Sequence, residues 1–94
     1  MRVINKNVWT YFEHYKDSDK LAGFDTASRR YYLEKISFSN RGYVYAVTTS
    51  SCTPTRVVDT IKVVEFGGLS DATNYFNNLK ANSKALNSIE YASK

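Results

Sequence analysis

The sequence predicts an α+β fold: a small antiparallel β-sheet, three to four strands in meander-like order, packed with a C-terminal helix. Three observations lead there. Two runs of strand-forming residues, Tyr31–Phe38 and Tyr43–Thr49, flank the short connection Ser39-Asn40-Arg41-Gly42, a hairpin signal. A third run, Arg56–Phe66, stops at Gly67-Gly68. Beyond that pair, Leu69, Ala72, Tyr75, Phe76 and Leu79 recur at helical spacing.

At the N-terminus, Val8, Trp9, Tyr11, Phe12 and Tyr15 would make one helical face, with Thr10, Glu13 and His14 opposite. The same residue types are strong strand formers. A strand followed by a turn at Asp17-Ser18-Asp19 joins the hairpin by a short loop and is the preferred reading. After the hairpin, Ser50–Thr55 has a loop composition, and Pro54 resists a central strand. Along Arg56–Phe66, Val58, Val64 and Phe66 alternate to one side, and Val57, Ile61 and Val63 to the other. The sheet is then covered on both faces, exposes one face to a partner, or carries a bulge. In the helix, Ser70 reads as N-cap and Asp71 favours the positive end of the dipole. Asn77, Asn78, Lys80 and Asn82 fall on its polar side. Ala85, Leu86, Ile89 and Ala92 either continue the stripe or, after a break at Asn82-Ser83, form a second short helix capped by Ser83.

With 94 residues, the chain has room for one compact domain, 1–94. Apolar residues at 43% and aromatics at 15% supply a core and argue against disorder throughout. Cys52 is the lone cysteine, so no internal disulfide forms and a reducing, cytoplasmic setting is expected. No Cys/His cluster offers a zinc site, and no uninterrupted apolar run marks a signal peptide or membrane span. The formal charge of +4 is scattered; of the basic residues only Arg29 and Arg30 are adjacent, short of a nucleic-acid footprint.

Nothing in the pattern assembles a catalytic set. His14 is followed by no orienting partner on its own face, because Glu13 is its immediate neighbour. Cys52 lies in a Ser/Thr-rich stretch, with Arg56 close in sequence and His14 a conceivable spatial neighbour. Gly67-Gly68 before a helix lacks the lysine and spaced glycines of a phosphate loop. Glu34, Asp59 and Glu65 are expected to pair across strands with residues such as Lys35, Arg56 or Lys62. The expectation is a protein that is not an enzyme, with no catalytic, cofactor-binding or metal-binding residues.

The most suggestive pattern is the interleaving of aromatic and basic residues in Arg29-Arg30-Tyr31-Tyr32 and Arg41-Gly42-Tyr43-Val44-Tyr45. Arg29, Arg30, Tyr31, Arg41, Tyr43 and Tyr45 are the candidate partner-binding residues. The second string resembles the central signature of RNA-recognition motifs over those positions alone. Val44 and Ala46 depart from it and no companion motif precedes it, so no family is assigned. Tyrosine and arginine are enriched at protein-binding hot spots, and they also stack bases and neutralise phosphates. Packing of these tyrosines beneath the helix or across strands is the competing structural reading. The leading expectation is a protein-binding module. Small stand-alone chains of this kind are common among phage or mobile-element accessory proteins that inhibit or dock onto a host complex. The alternative is a single-stranded nucleic-acid binder using a Tyr/Arg sheet face. Exposed strand edges or a Tyr-rich face would also support a homodimer.

Overall fold

Long alternating strands give a sheet two faces, and in this chain both carry enough apolar side chains to need a cover. The computed structural model describes residues 1–53, 56–83 and 85–90. Along the chain come β1 (Arg2–Ile4), α1 (Val8–Tyr11), β2 (Tyr15–Asp25), β3 (Arg29–Phe38), β4 (Gly42–Thr53), β5 (Arg56–Phe66), α2 (Leu69–Ala81) and β6 (Asn87–Glu90). The strands form one sheet in the order β1-β5-β4-β3-β2-β6, with every neighbouring pair antiparallel. The fold is α+β, and its centre is the meander β2-β3-β4-β5.

The sheet is larger than the three to four strands expected. β1 and β6 are short edge strands of 3 and 4 residues, too brief to show a periodicity of their own. β2 replaces the turn expected at Asp17-Ser18-Asp19. Asp, Lys, Ala and Gly are poor strand formers, but the ladder with β3 sets Asp19 opposite Lys35 and Lys20 opposite Glu34. The Lys20–Glu34 ion pair, with the backbone bonds of the ladder, outweighs local preference. Register shifts near Lys16 and Leu21 take up the mismatch.

The strand preferred over 8–15 is corrected too: Val8–Tyr11 is one helical turn, entered through Asn7 in the left-handed region at φ 52°. Folding this segment back lets Val8, Tyr11 and Phe12 cover Ile36, Phe38, Ala46 and Val63. Tyr11 meets both Phe12 and Phe38 edge-on at ring separations of 5.1 and 5.2 Å. Instead of forming a loop, Ser50–Thr53 continue β4, since a central strand has ladders on both sides to satisfy their backbone. Pro54 and Thr55 lie outside the described residues. Between β3 and β4, Gly42 takes φ 79°, the left-handed conformation that closes the hairpin.

β5 occupies the range expected, and its pairing with β4 shifts register between Thr49 and Cys52, a bulge. Val64 and Phe66 turn towards α2, and Val63 towards the opposite face. The side chains of Val57 and Val58 lie outside those described. Ala72 and Phe76 of α2 are buried against Phe24, Leu33, Val47, Val64 and Phe66, with Tyr75 and Leu79 at the margin. Leu69, expected in this stripe, is instead 43% exposed. Gly68, not Ser70, is the N-cap, and no side chain caps the helix start.

After α2, Ser83 donates its hydroxyl to the Leu79 carbonyl at 2.6 Å and starts no second helix. The chain then enters β6, with Leu86 N–H bonded to Asp25 O at 2.8 Å. The meander hands the chain from β5 to α2, which crosses one face and delivers β6 to the opposite edge. Ala92 lies outside the described residues. Among those described, no helix is long and apolar enough to cross a membrane.

Candidate functional site

One face of the sheet is covered by α2. On the other, α1 and Phe12, with Ile4 of the edge strand β1 beside them, pack against only the end nearest the β3–β4 turn. Beside that cover lies a groove of about 490 Å³, lined by Phe12, Tyr15, Ser18, Lys20, Tyr32, Glu34, Thr48, Ser50 and Thr60. Alternation places Tyr32 and Glu34 on this face of β3, and Thr48 and Ser50 on the same face of β4. Lys20 and Ser18 join from β2 through their pairing with Glu34 and Ile36.

The floor is polar and enclosed. Glu34, Thr48 and Ser50 are all buried. Thr48 donates its hydroxyl to Glu34 Oε2. Lys20 Nζ lies 3.7 Å from Glu34 Oε1 and 4.8 Å from the centre of the Tyr32 ring. The rim is aromatic: Phe12 meets Tyr15 at 5.9 Å, and Tyr15 is half-exposed. Such a surface can hold a chain segment by stacking and can accept hydrogen bonds at a desolvated carboxylate.

At the covered end, Glu65 gathers three partners. Arg41 donates to Oε1 at 3.2 Å and to Oε2 at 2.7 Å, and Tyr11 donates its hydroxyl to Oε2 at 2.7 Å. Arg2 stands 3.8 Å from Oε1. The Arg41 hydrogen bonds hold the Glu65 carboxyl below its ordinary range, against the opposing cost of burial. Burial, and next the bond to Glu65, push the Tyr11 phenol above its ordinary value. This cluster clamps α1 to the sheet.

The structure divides the residues singled out in sequence between the two faces. Tyr31 stacks on Phe24 at 4.7 Å beneath the α2 side, and Tyr45 packs at the edge of the same core. Tyr43 stands on that side too, 56% exposed, with Lys35 Nζ 4.2 Å above its ring. Arg29 alternates onto the face of Tyr31 and donates to the Ser28 carbonyl. Arg30 and Arg41 belong to the opposite face. Arg30 grips Asp25 with two bonds, 2.6 and 2.9 Å, and reaches the Tyr32 hydroxyl at 3.3 Å. Its guanidinium is held charged, chiefly by Asp25.

Two other sequence ideas come apart in space. Ser39 N–H binds the carbonyl of His14 at one end of the sheet, and Cys52 N–H binds that of Ser28 at the other. β4 spans most of that distance, roughly 30 Å at about 3.3 Å per residue. Glu34 and Glu65 each have their own cations, Lys20 for one and Arg41 with Arg2 for the other, so the partners differ from those expected. Among the described residues no group of three or more His, Cys, Asp or Glu could hold a metal ion.

The groove is not legible in sequence because its residues come from four strands and the segment after α1. One signal is available: Glu34 shares a face of β3 with Tyr32, Ile36 and Phe38, the last two of them core residues. A charged residue buried within an apolar run marks a place where a partner is required. Comparison with protein-family models, with curated proteins and with solved structures gives no match.

Proposed function

We propose that this chain is a non-enzymatic, cytoplasmic protein-binding module that seats a segment of a partner protein in the groove opposite α2. The observation that carries this reading is the groove itself: an aromatic rim over a buried carboxylate and hydroxyls. Its volume of about 490 Å³ lies within the range of specific binding clefts. Protein is favoured over nucleic acid because Arg30 and Arg41, two of the cations best suited to phosphate, are each engaged by a carboxylate.

A photo-crosslinking residue placed at Tyr15, on the rim, tests this in a lysate of the cells that express the protein. A discrete protein adduct is expected there and not from the same residue at Asn78 on the outer side of α2. Equal labelling at both positions, or none at Tyr15, would overturn the proposal.

A second reading rests on Tyr43, exposed beside Lys35 on the α2 side and in edge contact with Tyr45 at 5.7 Å. There, single-stranded nucleic acid would stack on Tyr43. It requires binding of an oligonucleotide that weakens steeply with salt and is lost in the Tyr43→Ala, Tyr45→Ala double variant. A flat titration at low salt removes it.

A further inference from the structure

We propose that Lys20 is an internal stand-in for an arginine side chain of the partner, and that Glu34 at the groove floor receives that arginine. The inference rests on the protein-binding reading above and names the group recognised.

Glu34 is the buried charge at the floor of the groove. Its side chain is 8% exposed, and a carboxylate removed from water needs both a counter-charge and direct donors. Thr48 supplies one donor at Oε2. The counter-charge at Oε1 is Lys20, but at 3.7 Å its ammonium is beyond hydrogen-bond length. The same ammonium lies 4.8 Å from the Tyr32 ring centre. It therefore occupies a cation position between a carboxylate and an aromatic ring without closing a bond to the carboxylate.

Lys20 is also easy to move. It sits beside the register shift in β2, on a flexible four-carbon stem, with its side chain 36% exposed. The groove next to it is far larger than an ammonium group, and its remaining lining suits an arginine. Phe12 and Tyr15 offer apolar surface to the methylene stem. Glu34, Ser50 and Thr60 offer oxygen acceptors to a planar group with five N–H donors. A guanidinium can bond the carboxylate directly while lying against an aromatic ring, whereas the ammonium of Lys20 meets the Tyr32 ring but closes no hydrogen bond to Glu34. The chain's own Arg30 and Arg41 are occupied by Asp25 and Glu65, so neither fills this position. The overall charge of +4 does not decide the matter, because exposed charges are screened over about 8 Å at physiological salt.

The test is an NMR and thermal-shift titration of the full chain with N-acetyl-arginine amide, with N-acetyl-glutamine amide as the neutral control. Arginine amide is expected to shift the backbone resonances of Tyr32, Glu34 and Thr48, and the control to leave them in place. Removing the stand-in by Lys20→Met should tighten arginine binding by roughly tenfold, the factor for one charge-assisted bond no longer contested. The probe should also raise the melting temperature of that variant more than that of the wild type. Glu34→Gln should weaken binding by roughly tenfold or more. If Glu34→Gln does not fold, the rescue of Lys20→Met by arginine still decides the question. Binding to Lys20→Met no tighter than to wild type, or equal effects of arginine and glutamine amides, overturns the proposal. A protein adduct at Tyr15 combined with no arginine effect would defeat this inference alone; loss of the adduct as well would defeat the groove reading beneath it.

Discussion

The Tyr32 ring occupies the space that a side chain at Gly23 would need: a Cβ there would come within 3.1 Å of Tyr32 Cδ1 and 3.0 Å of the Tyr31 carbonyl oxygen. These residues sit opposite one another in the β2–β3 ladder, so the glycine lets the ring lie across the neighbouring strand. Tyr32 in turn forms one wall of the groove. Gly23→Ala should therefore destabilise the protein by about 1–3 kcal/mol, the usual cost of overpacking. In urea denaturation, Tyr32→Ala in the same chain should recover part of that loss, giving a coupling that independent sites do not show.

The Glu65 clamp predicts opposite behaviour at the two ends of the pH range. Folding lowers the Glu65 pKa from its ordinary 4.5, so its contribution is present above that value and is lost as pH falls through the folded value. Folding raises the Tyr11 pKa from its ordinary 10.0, so that contribution is complete below 10 and is lost as pH rises through the higher folded value. Glu65→Gln should cost about 2 kcal/mol at neutral pH, with the gap to wild type narrowing in acid below the ordinary value. Tyr11→Phe should cost about 1 kcal/mol and narrow its gap in alkali, where the phenol ionises, and in acid, where the Glu65 carboxylate that accepts its hydroxyl is protonated. Thermal melts across pH measure both.

Two leucine-or-aromatic positions on α2 should respond very differently to truncation. Phe76 is buried and meets Phe24 at a ring separation of 5.4 Å. Phe76→Ala should cost about 3–5 kcal/mol. Leu69→Ala, at the exposed start of the helix, should stay within about 0.5 kcal/mol. Equal losses in chemical denaturation would mean that α2 presents a different face to the sheet.

The start of α2 can be improved. Gly68 is the N-cap in extended geometry, at φ −137° and ψ 152°, with no atom within 4 Å of a Cβ built there. An aspartate fits that conformation, can accept a bond from the first-turn amides, and narrows the unfolded ensemble. Gly68→Asp should raise stability by about 0.5–1 kcal/mol. Ser70→Ala should change it by less than about 0.5 kcal/mol, because Ser70 lies inside the helix and does not cap it. Urea midpoints of the two variants decide this.

Much of the fold was legible in sequence where local preference and burial agree. The Asn/Gly connection between two strand-forming runs marked the β3–β4 hairpin, and the glycine pair marked the passage from β5 to α2. Residues 15–25 were less legible, since Asp17, Asp19, Lys20 and Gly23 disfavour a strand individually and are held in one by their pairing with β3. The groove followed the same rule. Tyr31 and Tyr32 look equivalent in the chain, yet one stacks on Phe24 under α2 and the other walls the groove on the opposite face.

By itself the sequence determined the α+β class, the hairpin, β5 and the buried stripe of α2, because each rests on periodicity or turn chemistry within about ten residues of chain. Only the tertiary structure decided which face each tyrosine occupies, which carboxylate holds which cation, and that Lys20, Glu34 and Thr48 meet. Those outcomes depend on strand register and on the bulges in β2 and β4–β5, where a shift of one residue exchanges the two faces of the sheet.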